Sequence, residues 1–263
     1  PVSGCVESFF IVHVVKNILK LNPLLVSYNR LYNTSVGIRN LSLLKTVFDC
    51  DLLSLNVNPQ TVRKITRYTL EKFGNINWHI LAGSSVFPVQ TSVRLGIPLI
   101  IWGAHQGVEQ VGMYSHLHEI EMTRRYRRNH DLFGYEADDL LDIFNNLTDS
   151  DIWQYRYPTD SQLHSTGVRG IYLSNYIPWD PKSQNEFVIS TYGCKGAKQN
   201  RTFDTYEHSD CFNYLNLHDQ LKLFKHGYSR VTDHAVREIR HKRLSRHQAH
   251  SLVVFHQLQS PQH

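Results

Sequence analysis

The sequence predicts an α/β fold in which helices cover a parallel β-sheet. Over the first hundred residues, strand-like apolar runs alternate with helix-like segments, which is typical of such sheets. The chain has 263 residues, of which 41% are hydrophobic and 19% charged, so it can bury a substantial core. Beyond residue 178 the pattern is helical. We therefore expect an α/β domain over residues 1–177 and a helical C-terminal region over residues 178–263 that packs on it.

The first elements have clear local signals. A long apolar run predicts a helix over residues 9–21, and a short apolar run that ends in polar residues predicts a strand over residues 24–29. Apolar residues then recur at helical spacing over residues 35–48. We expect this helix to bury the following side chains: Ile38, Leu41, Leu44 and Val47.

The alternation continues along the chain. A strand is predicted over residues 51–56, and a helix with Pro59 in its first turn is predicted to extend to residue 73. Another helix is expected over residues 78–95, before a fully apolar strand over residues 98–103. A last apolar run over residues 168–177 predicts a strand of the same sheet. The helices expected after it cover residues 181–192, 215–227, 233–242 and 245–254.

Small residues precede the first helix, where backbone N–H groups can bind an anion. The first turn of a helix carries about half a positive charge, so it favours phosphate. The candidate phosphate-binding residues are Ser3, Gly4, Cys5, Val6, Glu7 and Ser8. An ordinary N-cap by Ser3 or Ser8 is an open alternative. Ligands of parallel sheets bind beyond the carboxyl ends of the strands, so we expect further binding residues there. These are Ser27, Asn29, Trp102, Gly103 and His105.

The strand that should lead into this loop is absent from the sequence. Only Pro1 and Val2 precede Ser3. We therefore expect a sheet whose first strand is missing, with its edge either exposed or filled by another segment.

Charge and composition restrict the partners. The net charge of +5 is concentrated in residues 124–128 and 230–246, which favours an anionic partner, although a solvated helix face explains it equally well. No nucleic-acid recognition motif accompanies the basic residues, so we expect no nucleic acid. No apolar run approaches the roughly 20 residues that span a bilayer, so we expect no membrane insertion. Four dispersed cysteines without a C-x-x-C pair predict a cytoplasmic protein.

Several blocks of the sequence resemble the N-acetyl sugar amidotransferases of the PP-loop group. Residues 3–8 are similar to the Ser-Gly-Gly-x-Asp-Ser pyrophosphate loop of that group, with Cys5 in place of the second glycine and Glu7 in place of the aspartate. Further similar blocks follow in the same order: residues 98–103, 131–139, 171–180, 201–206 and 225–240. The resemblance covers nearly the whole chain and implies a Rossmann-like fold of the adenine nucleotide alpha-hydrolase type.

The same resemblance implies an activity. ATP, with Mg²⁺, would adenylate an acetamido group of a nucleotide-linked sugar, and ammonia from a glutaminase/synthase partner would then displace AMP to give an acetamidino group. This chemistry belongs to lipopolysaccharide and surface-sugar biosynthesis. Glu109 and Asp204 are the candidate catalytic residues, and oligomerisation is possible. Two alternatives stay open: a truncated or degenerate relative that binds a nucleotide or a partner without catalysis, and a PP-loop enzyme that acts on RNA.

Overall fold

The computed structural model of the chain describes residues 1–105 and 120–261. The fold is mixed α/β and 56% helical, with small parallel sheets, which agrees with the predicted fold class. Among the described residues, no helix combines the length and the apolarity that are needed to cross a bilayer.

The strands lie where the apolar runs predicted them. Strand β1 (Leu25–Tyr28) pairs in parallel with β2 (Leu52–Leu55), and β3 (Leu99–Trp102) pairs in parallel with β4 (Arg169–Tyr172). The expectation of one continuous sheet is wrong, because these strands form two separate two-stranded sheets within the described part of the chain. The last run is a strand only in its first half, since a 3₁₀ turn follows at Leu173–Asn175.

Helices make up most of the remaining described structure. The predicted first helix is shorter than expected, because α1 ends at His13 and a π-helical turn continues it over Val14–Ile18. A second π-helical turn, Asn213–Leu217, precedes the helix His218–His226. The helices are α1 Glu7–His13, α2 Ser35–Val47, α3 Pro59–Phe73, α4 Trp78–Leu95, α5 Arg124–His130, α6 Ala137–Ile143, α7 Asp149–Ile152, α8 Asp160–Thr166, α9 Pro181–Tyr192, α10 His218–His226, α11 Arg230–Arg240 and α12 Arg246–Gln257.

Helix α2 packs on the N-terminal loop through small and polar residues. A Cβ atom on Gly4 would lie 2.3 Å from the carbonyl oxygen of Gly37, so the two backbones approach too closely for side chains. Asn40 is fully buried, and its Nδ2 donates to Gly4 O at 3.0 Å. The predicted buried face is therefore partly wrong: Leu44 is buried, but Ile38 is 60% and Val47 39% exposed.

The C-terminal region shares a core with the N-terminal loop and α1. Val6 and Phe9 pack in one cluster with Val188 of α9 and with Cys194. Leu25 of β1 belongs to the same cluster, so the loop is held between a strand and a C-terminal helix. Burial of this cluster fixes the position of residues 3–8 relative to the strands.

Candidate functional site

Residues 3–8 form a turn that leads into α1 beside strand β1. Val2 N donates to Val26 O at 2.8 Å, which ties the start of the chain to the strand. Within the turn, Ser3 N donates to Ser8 Oγ at 3.0 Å and Cys5 N to Ser3 Oγ at 3.2 Å. The N-cap interpretation is wrong, because the N-cap residue of α1 is Val6, which makes no side-chain capping bond.

A cavity of about 230 Å³ lies between this turn and the carboxyl ends of β1 and β3. Three segments that are distant in sequence meet there, as the parallel-strand argument predicted. The residues that define this loop cavity are Ser3, Cys5, Glu7, Ser8, Tyr28, Arg30, Trp102, Glu207 and His208. The structure thus brings together much of the predicted loop with Trp102, and it adds Arg30, which directly follows β1, and Glu207 and His208 from a further segment.

Ser27 and Asn29 lie at a neighbouring cavity of about 420 Å³, which Ser3 and Gly4 also line. Ser27 is buried within β1. The Asn29 side chain organises the turn after β1: its Oδ1 accepts from Leu31 N at 2.9 Å, and its Nδ2 donates to Asn56 Oδ1 at 2.6 Å. Asn29 therefore shapes the edge of the site through its neighbours.

The carboxylate of Asp210 accepts hydrogen bonds from two donors of the loop. Gly4 N donates to Asp210 Oδ2 at 3.1 Å, and the Cys5 thiol donates to Asp210 Oδ1 at 2.9 Å. Arg30 Nη1 lies 2.9 Å from the same Oδ1. Burial alone would raise the pKa of Asp210, but the charge of Arg30 and the hydrogen bond from Cys5 outweigh it and lower the pKa. A buried anion of the chain itself is thus bound by the loop.

Glu7 points from α1 towards the end of β3. Its Oε1 accepts from Ala104 N at 3.4 Å, and a Cβ atom on Gly103 would lie 2.4 Å from that oxygen. A side chain at position 103 would therefore require the Glu7 carboxyl group to shift. Burial, and then the charge of Glu207, raise the pKa of Glu7 to about 7. Glu7 can accordingly gain and lose a proton near neutral pH.

Cys5 is a hydrogen-bond donor in this site. Burial and the neighbouring Asp210 carboxylate raise the pKa of the Cys5 thiol well above its usual value. The thiolate is the nucleophilic form, so a thiol held protonated is unsuited to covalent catalysis. Its role is to hold Asp210 in place.

Asp204 lies in a buried ion-pair network and does not line the loop cavity. Its Oδ2 is 2.6 Å from Arg237 Nη2, and its Oδ1 accepts from the backbone N–H groups of Tyr206 and Glu207 at 2.8 and 2.9 Å. Arg237 also pairs with Glu207, whose other carboxylate oxygen lies 2.9 Å from His234 Nε2. Both oxygens of Asp204 are thus engaged, Oδ2 by Arg237 and Oδ1 by the turn that carries Glu207.

The same network resembles a metal site in composition. Ligand atoms of Asp204, Glu207 and His234 lie within 4.8 Å of one another. However, the guanidinium group of Arg237 contacts both carboxylates and supplies the positive charge that a metal ion would otherwise provide. A metal ion therefore does not fit this cluster while Arg237 holds its position.

The other predicted residues have varied positions. Trp102 is buried at the loop cavity, with the Arg127 guanidinium 4.7 Å from its ring centroid. His105 is buried away from the lining of that cavity; its backbone N donates to Ser174 Oγ at 2.8 Å and its ring lies 4.8 Å from that of Tyr172. Val6 packs in the core. Glu109 lies outside the described residues.

Several charged or titratable residues of the site were not predicted, among them Arg30, Glu207 and His208. Arg30 directly follows β1, so the rule that selected Asn29 could have found it. Glu207 and His208 come from a turn that has no periodic signal in the sequence. Burial and the charges of Arg230 and Arg30 lower the pKa of His208 to about 3, so this histidine is neutral at physiological pH.

Two comparisons with known proteins were negative. No protein-family model matches the chain, and no curated protein does. The assignment of a function therefore depends on the geometry of the loop cavity and on the residues that line it.

Proposed function

We propose that the chain is an ATP-dependent amidotransferase with a fold of the adenine nucleotide alpha-hydrolase type, and that ATP phosphates bind in the loop cavity. The observation that carries the proposal is the meeting of four residues of the 3–8 turn, the carboxyl ends of β1 and β3, and Arg30 at one cavity. Anions bind to backbone N–H groups at such a turn, and ligands of parallel sheets bind at such strand ends.

The site offers both donors and cations to a phosphate. Within the described chain, the backbone N–H groups of Val6 and Glu7 have no hydrogen-bond acceptor. The Arg30 guanidinium lies at the same cavity and now pairs with Asp210. A phosphate would compete with the Asp210 carboxylate for Gly4 N and Arg30, so ATP binding requires that this carboxylate moves. Carboxylate oxygens are the ligands that Mg²⁺ prefers, but Asp210 must leave the phosphate position and Glu7 serves the proton transfer described below, so Mg²⁺ would enter the site on the ATP phosphates.

In the proposed reaction, the acetamido oxygen of a nucleotide-linked sugar attacks the α-phosphorus of ATP and pyrophosphate leaves. Ammonia from a glutaminase partner then adds to the imidate carbon, AMP leaves with the oxygen, and an acetamidino group remains. Arg30 offsets the charge that develops on the phosphates. Glu7, whose pKa is about 7, accepts the proton that the attacking nitrogen loses. Such a product would serve surface-sugar or lipopolysaccharide synthesis.

ATP–pyrophosphate exchange with nucleotide-linked diacetamido sugars tests this function. Exchange is expected with the unmodified chain and is expected to fall at least about a hundredfold in Arg30→Met, in line with the loss of one electrostatic contact in a catalytic site. Arg67→Met is the matched control, because Arg67 is 79% exposed on α3. Equal exchange rates in the two variants would contradict the assigned role of Arg30.

The second candidate function is nucleotide binding without catalysis, by a relative of the amidotransferases that keeps their fold. Loss of catalysis is favoured by the contact of the Asp210 carboxylate with Gly4 N and Cys5 Sγ, because this carboxylate competes with the phosphates that adenylation must position. Calorimetric titration with ATP separates the candidates: binding without exchange supports the second, and exchange supports the first. Asp210→Asn is expected to tighten ATP binding, because it removes a negative charge from the phosphate position. If neither the chain nor this variant binds ATP, both candidates are wrong.

A further inference from the structure

The two sheets face each other across an apolar slot. A cavity of about 350 Å³ separates the edge of β1 that faces away from β2 from the edge of β3 that faces away from β4. We define this strand slot by residues from both edges: Val2, Leu24, Leu25 and Val26 on one side, and Leu99, Ile100 and Ile101 on the other. No charged side chain lines it among the described residues.

Strands β1 and β3 run in the same direction along the slot. Their carboxyl-terminal residues, Tyr28 and Trp102, meet at the loop cavity, while their amino-terminal residues, Leu25 and Leu99, meet at the slot. A single strand placed between them could therefore pair in parallel with both.

Both edges present backbone groups to the slot. Because Leu25 N bonds to Asp51 O in the direction of β2, the next residue, Val26, points its N–H and C=O groups the other way. Its C=O accepts from Val2 N, but its N–H has no partner within the part of the chain that the structure describes. On the opposite edge, Arg169 N bonds to Pro98 O, so alternation directs the backbone of Ile101 into the slot.

Helices close the two faces of the slot. Ile11, Val12 and Val15 cover one face, and residues of α4 cover the other. Among the latter, Thr91 is buried, and its hydroxyl has no hydrogen-bond partner among the described residues. The slot is thus bounded by two strand edges and two helices, which is the environment of a central strand in a helix-covered sheet.

We propose that this slot binds one extended apolar peptide strand of about the length of β1, which is four residues. The strand would join the two sheets in the order β2, β1, bound strand, β3, β4. The bond from Val2 N to Val26 O sets the register. In a parallel ladder, the N–H and C=O groups of one residue bond to two residues of the neighbouring strand that are two positions apart. The N–H of Val26 would therefore bond to the carbonyl group of the residue directly before Pro1. A segment attached to the nitrogen of Pro1 therefore enters the slot along the β1 edge.

The chemistry of the slot specifies an apolar occupant. A strand that is covered on both faces has apolar side chains on both faces, and a charged side chain would find no charged partner among the described residues that line the slot. Burial also lowers the pKa of the Pro1 amine to about 6, which shows that a charge at this end of the slot is disfavoured. A valine- and isoleucine-rich strand satisfies both conditions.

The test compares two extended chains of equal length. Val-Ile-Val-Ile is fused before Pro1 in one chain and Gly-Ser-Gly-Ser in the other. Both fusions remove the free amine of Pro1, so any difference between the two chains is due to the apolar side chains of the added strand. Hydrogen exchange at the Val26 and Ile101 amides is the readout, since only slot occupancy protects both edges together. At least tenfold slower exchange of both amides in the apolar fusion is expected, with a thermal midpoint at least about 4 °C higher.

Two outcomes would overturn the proposal. The first is equal exchange at Val26 and Ile101 in the apolar and polar fusions. The second is a dimer of the unextended chain, detected by sedimentation, in which both amides are already protected, because a second copy would then fill the slot. Neither outcome depends on ATP or on the proposed amidotransferase activity, so the two proposals fail or stand separately.

Discussion

The Glu7→Gln substitution should remove a specific pH dependence of stability. The folded protein holds the Glu7 pKa at about 7, against an ordinary value of 4.5, chiefly through burial and then through the charge of Glu207. Because the folded-state pKa is raised, the group's contribution to stability is fully present below pH 4.5 and is lost as the pH rises through 7. The uncharged glutamine keeps an oxygen for Ala104 N and does not titrate.

The magnitude follows from the size of the shift. Raising the pKa from 4.5 to about 7 corresponds to at most about 3.4 kcal/mol, at 1.36 kcal/mol for each tenfold change in the ionisation constant. Glu7 is half-buried, so water screens part of this energy and we expect about 2 kcal/mol. The free energy of unfolding of the unmodified chain should therefore fall by about that amount, relative to Glu7→Gln, between pH 4.5 and pH 7.5.

Urea unfolding at several pH values between 4.5 and 7.5 measures this difference. Glu71→Gln is the matched control, because it removes the same charge from a side chain that is 61% exposed on α3. The control should keep the pH profile of the unmodified chain. If Glu7→Gln also keeps that profile, the reasoning about the buried Glu7 carboxyl is refuted.

Two further substitutions test the packing around the site. Arg237→Met should lower the free energy of unfolding by about 3–5 kcal/mol, because it leaves the buried carboxylate of Asp204 without its cation and removes one ion-pair partner of Glu207; a loss below about 1 kcal/mol in urea unfolding would contradict this. Gly83→Ala should cost about 1–3 kcal/mol, because a Cβ atom there would lie 2.3 Å from the ring of Tyr28, whose hydroxyl is hydrogen-bonded to Tyr155 at 2.8 Å. An unchanged thermal midpoint in Gly83→Ala would show that the ring can move freely.

Local sequence signals predicted the elements whose ends are determined locally. Helix α3 begins and ends at its predicted residues because Pro59 occupies its first turn and Gly74, at φ 61°, ends it. Helix α4 likewise ends at Gly96, in the left-handed conformation. The short strands were found because apolar runs between turn residues are a sufficient signal for buried parallel strands.

Long-range contacts account for what the sequence did not predict. The burial of Asn40 in place of Ile38 depends on the contact of α2 with Gly4, which lies 36 residues away. The bond from Gly4 N to Asp210 spans 206 residues and leaves no periodic trace in either segment. Sequence reasoning therefore located the loop, but it could not show which group the loop binds within the folded chain.

Val2 links the strand slot to the loop cavity. Its N–H bonds to β1 at the end of the slot, and Ser3 follows it directly in the lining of the loop cavity. A strand bound in the slot would restrict Pro1 and Val2 on the β3 side as well as on the β1 side. Only Val2 and Ser3 separate Pro1 from Gly4, so a restricted Pro1 and Val2 would also restrict the position of Gly4 N. The distance and angle from Gly4 N to its acceptor, either Asp210 or a phosphate, would then be fixed more tightly. The geometry of the anion-binding turn thus depends on how firmly the segment before it is held in the sheet.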